Sequence, residues 1–108
     1  MNDAIKKPYG NTHIAEEIAF NTNKIEMSFP FVNSSFPRLF LVECAMWNAN
    51  SIQCAIGFVR MTSSSEADAI ILHDSGIVDS VSVDATTRVF TVNLIYNRSY
   101  CKLVVFDC

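Results

Sequence analysis

The sequence predicts an all-β fold: an antiparallel, jelly-roll-like β-sandwich of about seven strands behind a short N-terminal arm or helical turn. Three observations carry this. Apolar and polar residues alternate with a period of two from Lys24 onward, the signature of strands whose side chains point to opposite faces. Turn-forming residues interrupt that alternation at the ~8–12-residue spacing of sandwiches and barrels. No stretch after Lys24 holds a helical period long enough for a βαβ crossover, which argues against a parallel sheet.

The first element is the N-terminal segment, residues 1–23. Pro8-Tyr9-Gly10-Asn11 is a turn signal. Thr12 with Glu16 and Glu17 suits the cap of a helical turn, and Ile14 and Ile18 stand four apart on one stripe. An extended arm is the other reading of the same residues. The β-domain then spans residues 24–108. In Lys24-Ile25-Glu26-Met27-Ser28-Phe29 the strict alternation places Ile25, Met27 and Phe29 on one face. Pro30 and Pro37 bracket a loop or an edge crossing.

From Leu39 to Arg60 the sequence predicts a hairpin. Phe40, Val42, Cys44 and Met46 alternate along one run, and Ile52, Cys54, Ile56 and Phe58 along the next. Folding symmetrically about Ala49 sets Met46 against Ile52, Cys44 against Cys54, Val42 against Ile56 and Phe40 against Phe58. A slip of one residue would exchange the faces. A strand over Ala67–Leu72 follows, with Ile70 and Leu72 inward. His73-Asp74-Ser75-Gly76 reads as a turn, and Ile77–Asp84 as a strand with Val81 and Val83 inward. After the Asp84–Thr87 loop, Arg88–Ile95 points Phe90, Val92 and Leu94 inward. Asn97-Arg98-Ser99 reads as another turn. Tyr100–Phe106 closes the chain, with Leu103 and Val105 opposite Leu94 and Val92.

Composition narrows the function. The chain has 108 residues, enough for one domain, and is 50% hydrophobic and 18% charged, which excludes a disordered chain. Its formal charge of −3 exerts no general pull on nucleic acid or anionic lipid. The polar start, Met1 to Pro8, carries no signal-peptide core, and the longest apolar runs are far short of the ~20 residues of a membrane helix. A protein made in the cytoplasm without membrane insertion is therefore expected. Cys44, Cys54, Cys101 and Cys108 form no CxxC or Cys/His pair, so they read as free thiols, with no metal site and no cofactor.

Catalytic constellations are weak. Adjacent residues in His73-Asp74-Ser75 cannot converge on one atom if they lie in a strand, and as a turn they need no further explanation. Three glycines cannot build a phosphate loop. A non-enzymatic role is expected. Two polar-aromatic tips are candidate binding surfaces: Trp47 with Asn48 and Asn50, and Tyr96, Asn97, Arg98 and Tyr100. The plainer reading folds Trp47 over the sheet end and leaves the second tip a solvated hairpin. Apolar residues also occupy the second face of several strands. Leu39, Leu41, Val104 and Phe106 are candidates for an oligomer interface, because an apolar patch is costly to leave wet.

The run Asp84-Ala85-Thr86-Thr87-Arg88-Val89-Phe90-Thr91-Val92-Asn93-Leu94, followed by Tyr100-Cys101-Lys102-Leu103-Val104-Val105-Phe106, resembles the final meander of small bacteriophage virion domains of the tail-fibre and head-decoration type. The resemblance covers about the last third of the chain. It implies a structural or adhesive role, commonly trimeric, in a virion, with residues 1–23 as an arm contacting other virion or assembly proteins. The reading is thus a self-associating structural or assembly protein. The alternative is a carbohydrate-binding module that meets glycans through Trp47 and the Tyr96–Tyr100 loop.

Overall fold

The computed structural model describes residues 13–29, 34–45, 52–62 and 66–107. These residues form six antiparallel strands and no helix: β1 (His13–Ser28), β2 (Ser34–Ala45), β3 (Cys54–Met61), β4 (Ala67–Asp74), β5 (Val78–Asp84) and β6 (Val89–Asp107). The strand order is β1-β6-β2-β3-β4, with β5 added to β6. The count is six rather than seven because the two strands expected at Arg88–Ile95 and Tyr100–Phe106 are one 19-residue strand. Asn97-Arg98-Ser99 is not a turn, and Leu103 and Val105 do not face Leu94 and Val92.

β1 and β6 are long because each serves two ladders. The upstream part of β1 (from His13 to Thr22) pairs with the downstream part of β6, and Lys24–Ser28 pairs with Val89–Asn93. Between these ladders β1 spends one residue, Asn23, while β6 spends four, Leu94 to Asn97. A mismatch of that kind bends a ladder and changes which side chains face inward. Asn21 takes up the curvature with φ of 53°, a left-handed value that asparagine tolerates better than most residues. Along β6 the buried positions accordingly switch from Phe90, Val92 and Leu94 to Cys101, Leu103 and Val105.

The bend brings the two parts of the sheet together over one core. Ile25, Met27 and Phe29 of the β1 half, Phe90, Val92 and Leu94 of β6 and Ile77 pack with Phe40, Val42, Ala55, Val59, Met61, Leu103 and Val105. Phe40 and Phe90 meet edge to face, with ring centroids 5.0 Å apart, a geometry that suits the ring quadrupoles. At the rim, the Arg88 guanidinium donates to the Thr62 carbonyl at 3.0 Å and the Phe29 amide donates to the Arg88 carbonyl at 2.8 Å. These bonds tie the β5–β6 turn to the ends of β3 and β1.

Several expectations hold. Ile25, Met27 and Phe29 share the buried face, and Val81 and Val83 pack against the core. Asp84 Oδ1 accepts from the Thr86 amide at 2.8 Å in the expected turn, which Arg88 closes at φ of 61°. Of the two readings of the N-terminal segment, helical turn or extended arm, residues 13–20 take the extended one, as part of β1. Ile14 and Ile18 are four apart, and four is both one helical turn and two strand repeats, so the spacing alone did not decide. Others are corrected. β2 starts at Ser34 and runs through Pro37, which sits where the ladder to β3 is irregular, ahead of the first pairing with β6. A missing amide costs no ladder bond at such a place.

The β2–β3 hairpin is one residue out of the expected register. Leu39 lies opposite Phe58, Phe40 opposite Gly57, Leu41 opposite Ile56, Val42 opposite Ala55 and Glu43 opposite Cys54. The inner face of β3 is therefore Ala55, Gly57, Val59 and Met61, while Ile56 and Phe58 point the other way. Volume explains the choice. A Cβ at position 57 would lie 2.7 Å from two Phe40 ring atoms and collide with the Ile70 carbonyl. The Phe40 ring thus fills the space that glycine leaves, and Val42 sits over the small Ala55. In β4, Ala67, Ala69 and Ile71 turn toward the core, and Ile70 and Leu72 face outward. Cys44 lies opposite Cys101 rather than Cys54.

Candidate functional site

The register that hides small residues on β3 sends its large ones outward, and the neighbouring strands add to them in line. Ile14 pairs with Phe106, Phe106 with Leu39, Leu39 with Phe58 and Phe58 with Ile70. One continuous apolar row thus crosses β1, β6, β2, β3 and β4. With strands about 4.8 Å apart, it runs roughly 19 Å. Ile14 is 57% exposed and Ile70 55%. A second row sets Val104, Leu41 and Ile56 side by side between Glu16 and His73. Beyond it Ile18 neighbours Lys102, whose ammonium lies 3.9 Å from the Glu43 carboxylate. Phe20, 65% exposed, leans on Tyr100 with centroids 5.6 Å apart.

At the β4 end the row drops into a depression of about 220 Å³ lined by Pro37, Phe58, Val59, Arg60, Asp68 and Ile70. Arg60 forms its rim, donating to Asp68 at 3.0 Å and to Glu66 at 3.5 Å. The face is therefore greasy across its middle and ionic at its margins. A polar rim around an apolar centre is the anatomy of protein interfaces.

Leu39, Leu41, Val104 and Phe106 all lie on this face, as two directly paired couples. Val104 is 7% exposed because its neighbours cover it. Sequence reasoning missed Ile14, Ile18, Phe20, Ile56, Phe58 and Ile70. The period-two signal is present in each, but Ile14 and Ile18 fit a helical stripe as well as an extended arm, and Ile56, Phe58 and Ile70 read as core. Of the candidate binding tips, Trp47, Asn48 and Asn50 lie outside the described residues. Tyr96 and Asn97 are exposed at the β6 bend, whereas Arg98 is buried, with its guanidinium 5.8 Å from the Tyr96 ring and donating to Gln53 Oε1 at 2.8 Å. Tyr100 belongs to the outer face, beside Phe20. The Tyr96–Tyr100 stretch is thus split between the surface, the interior and the sheet face.

Asp74 and Ser75 have structural hydrogen-bond partners, and His73 lies opposite Ile56 in the β3–β4 ladder. Asp74 Oδ1 accepts from the amides of Gly76 and Ile77, both at 2.8 Å, and of Val78 at 3.3 Å. Ser75 Oγ accepts from the Cys54 amide at 3.1 Å, and Gly76 supplies the positive φ of 113° that the turn needs. Burial pushes the Asp74 carboxyl up, but these backbone donors and His73 outweigh it and hold it below the usual value. A lowered carboxyl stabilises the fold above the ordinary aspartate range near 4, and that contribution disappears as pH falls through the lower folded value. Asp74→Ala is expected to cost about 1–2 kcal/mol in urea unfolding at pH 7. The difference from the native chain should shrink under strong acid. Among the described residues no group of three His, Cys, Asp or Glu side chains is placed to hold a metal ion.

No protein-family model matches the chain, and no curated protein matches it. Among solved structures, the tailspike protein gp49 of the Acinetobacter baumannii bacteriophage Fri1, a capsular polysaccharide depolymerase, is similar over 94% of this chain. The identity is 18% and the TM-score 0.47, and the match spans 19% of the tailspike's length.

Proposed function

We propose that the chain is a non-enzymatic structural protein that self-associates through the outer face of β1, β6, β2, β3 and β4. The single observation that carries this is the unbroken row Ile14, Phe106, Leu39, Phe58 and Ile70. Burying such a row removes apolar surface from water at roughly 25 cal/mol per Å². A second copy brings an identical face, and self-complementary patches are how most homo-oligomers close. The bent sheet, with its two parts packed over one core, is read here as a jelly-roll-like sandwich. From the resemblance of Asp84–Leu94 and Tyr100–Phe106 to phage virion domains we take a virion accessory role, although Val89–Leu94 and Tyr100–Phe106 belong to one strand and not to a meander. Face-to-face pairing makes a two-fold dimer, and the three-fold association that the resemblance implies would instead set this face against a different patch of the next copy.

Light scattering of the native chain at micromolar concentration tests the proposal, with a mass two or more times that of the single chain as the expected result. In the double variant Leu39→Lys, Ile70→Lys the mass should fall to that of one chain while the β-type circular-dichroism spectrum persists. A native chain that is monomeric under those conditions overturns the reading.

A further inference from the structure

Cys44 and Cys101 are directly opposite partners in the β2–β6 ladder. Both turn toward the inside of the sheet, and their sulfurs lie 3.9 Å apart. Cys101 is fully buried and Cys44 partly so. The third described cysteine, Cys54, sits opposite Glu43, not on this ladder. Disulfides require Cα atoms within about 7 Å and Cβ atoms at roughly 3.5–4.5 Å, and directly opposed antiparallel residues come close to that without moving the backbone. Around the pair, the Cys44 amide donates to the Gln53 carbonyl at 2.9 Å, and the Gln53 side chain holds the Arg98 guanidinium. The neighbouring strands are thus pinned at the point where a bridge would form.

We propose that Cys44 and Cys101 form a cross-strand dithiol that a small-molecule disulfide, such as oxidised glutathione, converts to an intrachain bridge without disturbing the fold. The Cys44 sulfur, on the residue that is only partly buried, attacks one glutathione sulfur as thiolate and expels the other glutathione as thiol. The Cys101 sulfur then attacks Cys44 Sγ and expels the second. Two protein S–H bonds and one glutathione S–S bond are consumed, and one protein S–S bond and two glutathione S–H bonds are formed. The protein is oxidised by two electrons and glutathione is reduced by two. Burial pushes the Cys44 thiol up to about 12, the neighbouring Cys101 adding to that and Arg98 opposing it. The first attack is therefore slow, and the reaction needs hours rather than seconds.

The test is incubation of the folded full chain with excess oxidised glutathione, read by intact mass, by mapping of unreduced tryptic peptides and by circular dichroism. The expected result is one cross-link joining the Cys44 and Cys101 peptides with no glutathione on either, any glutathione adduct confined to Cys54 and Cys108, and an unchanged β-type spectrum. The Cys54→Ser variant should give the same cross-link, and Cys101→Ser should leave glutathione on Cys44. A native chain that retains the adduct on Cys44, links Cys54 or Cys108 instead, stays unreacted, or closes only with loss of the β spectrum overturns the proposal.

Discussion

Gly57→Val is expected to destabilise the protein by at least about 3 kcal/mol, enough to unfold a domain of ordinary stability on mild warming. Gly57 lies in the middle of β3, where glycine normally weakens a strand. Here it is required by two neighbours on opposite sides. The Phe40 ring lies across it from β2, 2.7 Å from where a Cβ would stand, and the Ile70 carbonyl closes in from β4. A ring can swing aside, but the carbonyl is held by the β3–β4 ladder. Gly57→Ala in a Phe40→Ala background therefore relieves only part of the strain. Urea midpoints of the four chains in that cycle should give a coupling of roughly 1–2 kcal/mol. Additive behaviour would mean that Phe40 does not pack on Gly57.

Phe90→Ala is the second large effect, at about 3–5 kcal/mol. Phe90 is fully buried near the upstream end of β6, opposite Met27 on one side and Val83 on the other. Its ring also meets Phe40 edge to face at 5.0 Å. Truncation leaves a cavity at the contact between the two parts of the sheet, and it removes an aromatic pair worth about 0.5–1.5 kcal/mol beyond buried area. Chemical denaturation should show a lower midpoint with an unchanged slope. A cost under about 1 kcal/mol would show that the two parts of the sheet do not depend on this contact.

The candidate face was partly legible before any coordinates. Leu39, Leu41, Val104 and Phe106 stand out as apolar residues on the side of each strand opposite the apparent core. Their neighbours did not, because Ile56, Phe58 and Ile70 look like core residues to any reading that ranks positions by size. Ile14 and Ile18 fit a helical stripe as well as a strand. In each case the chain alone showed that a residue alternates with its neighbours, not which set faces inward.

What the sequence by itself determined is the strand habit: the period-two alternation, the turn at Asp74–Gly76, the turn at Asp84–Thr87, and the grouping of Ile25 with Met27 and Phe29. These are local properties, set by the alternating direction of side chains along an extended backbone and by short side chains bonding nearby amides. The tertiary structure decided the register of β2 against β3, the merging of two expected strands into β6, and the partner of Cys44. Each of these depends on volume or curvature supplied by a distant strand. Phe40 selects Gly57 because only there is its ring accommodated, and the surplus of β6 over β1 turns a meander into a bend. Alternation assigns residues to two faces, and the packing of the whole sheet assigns one of those faces to the core.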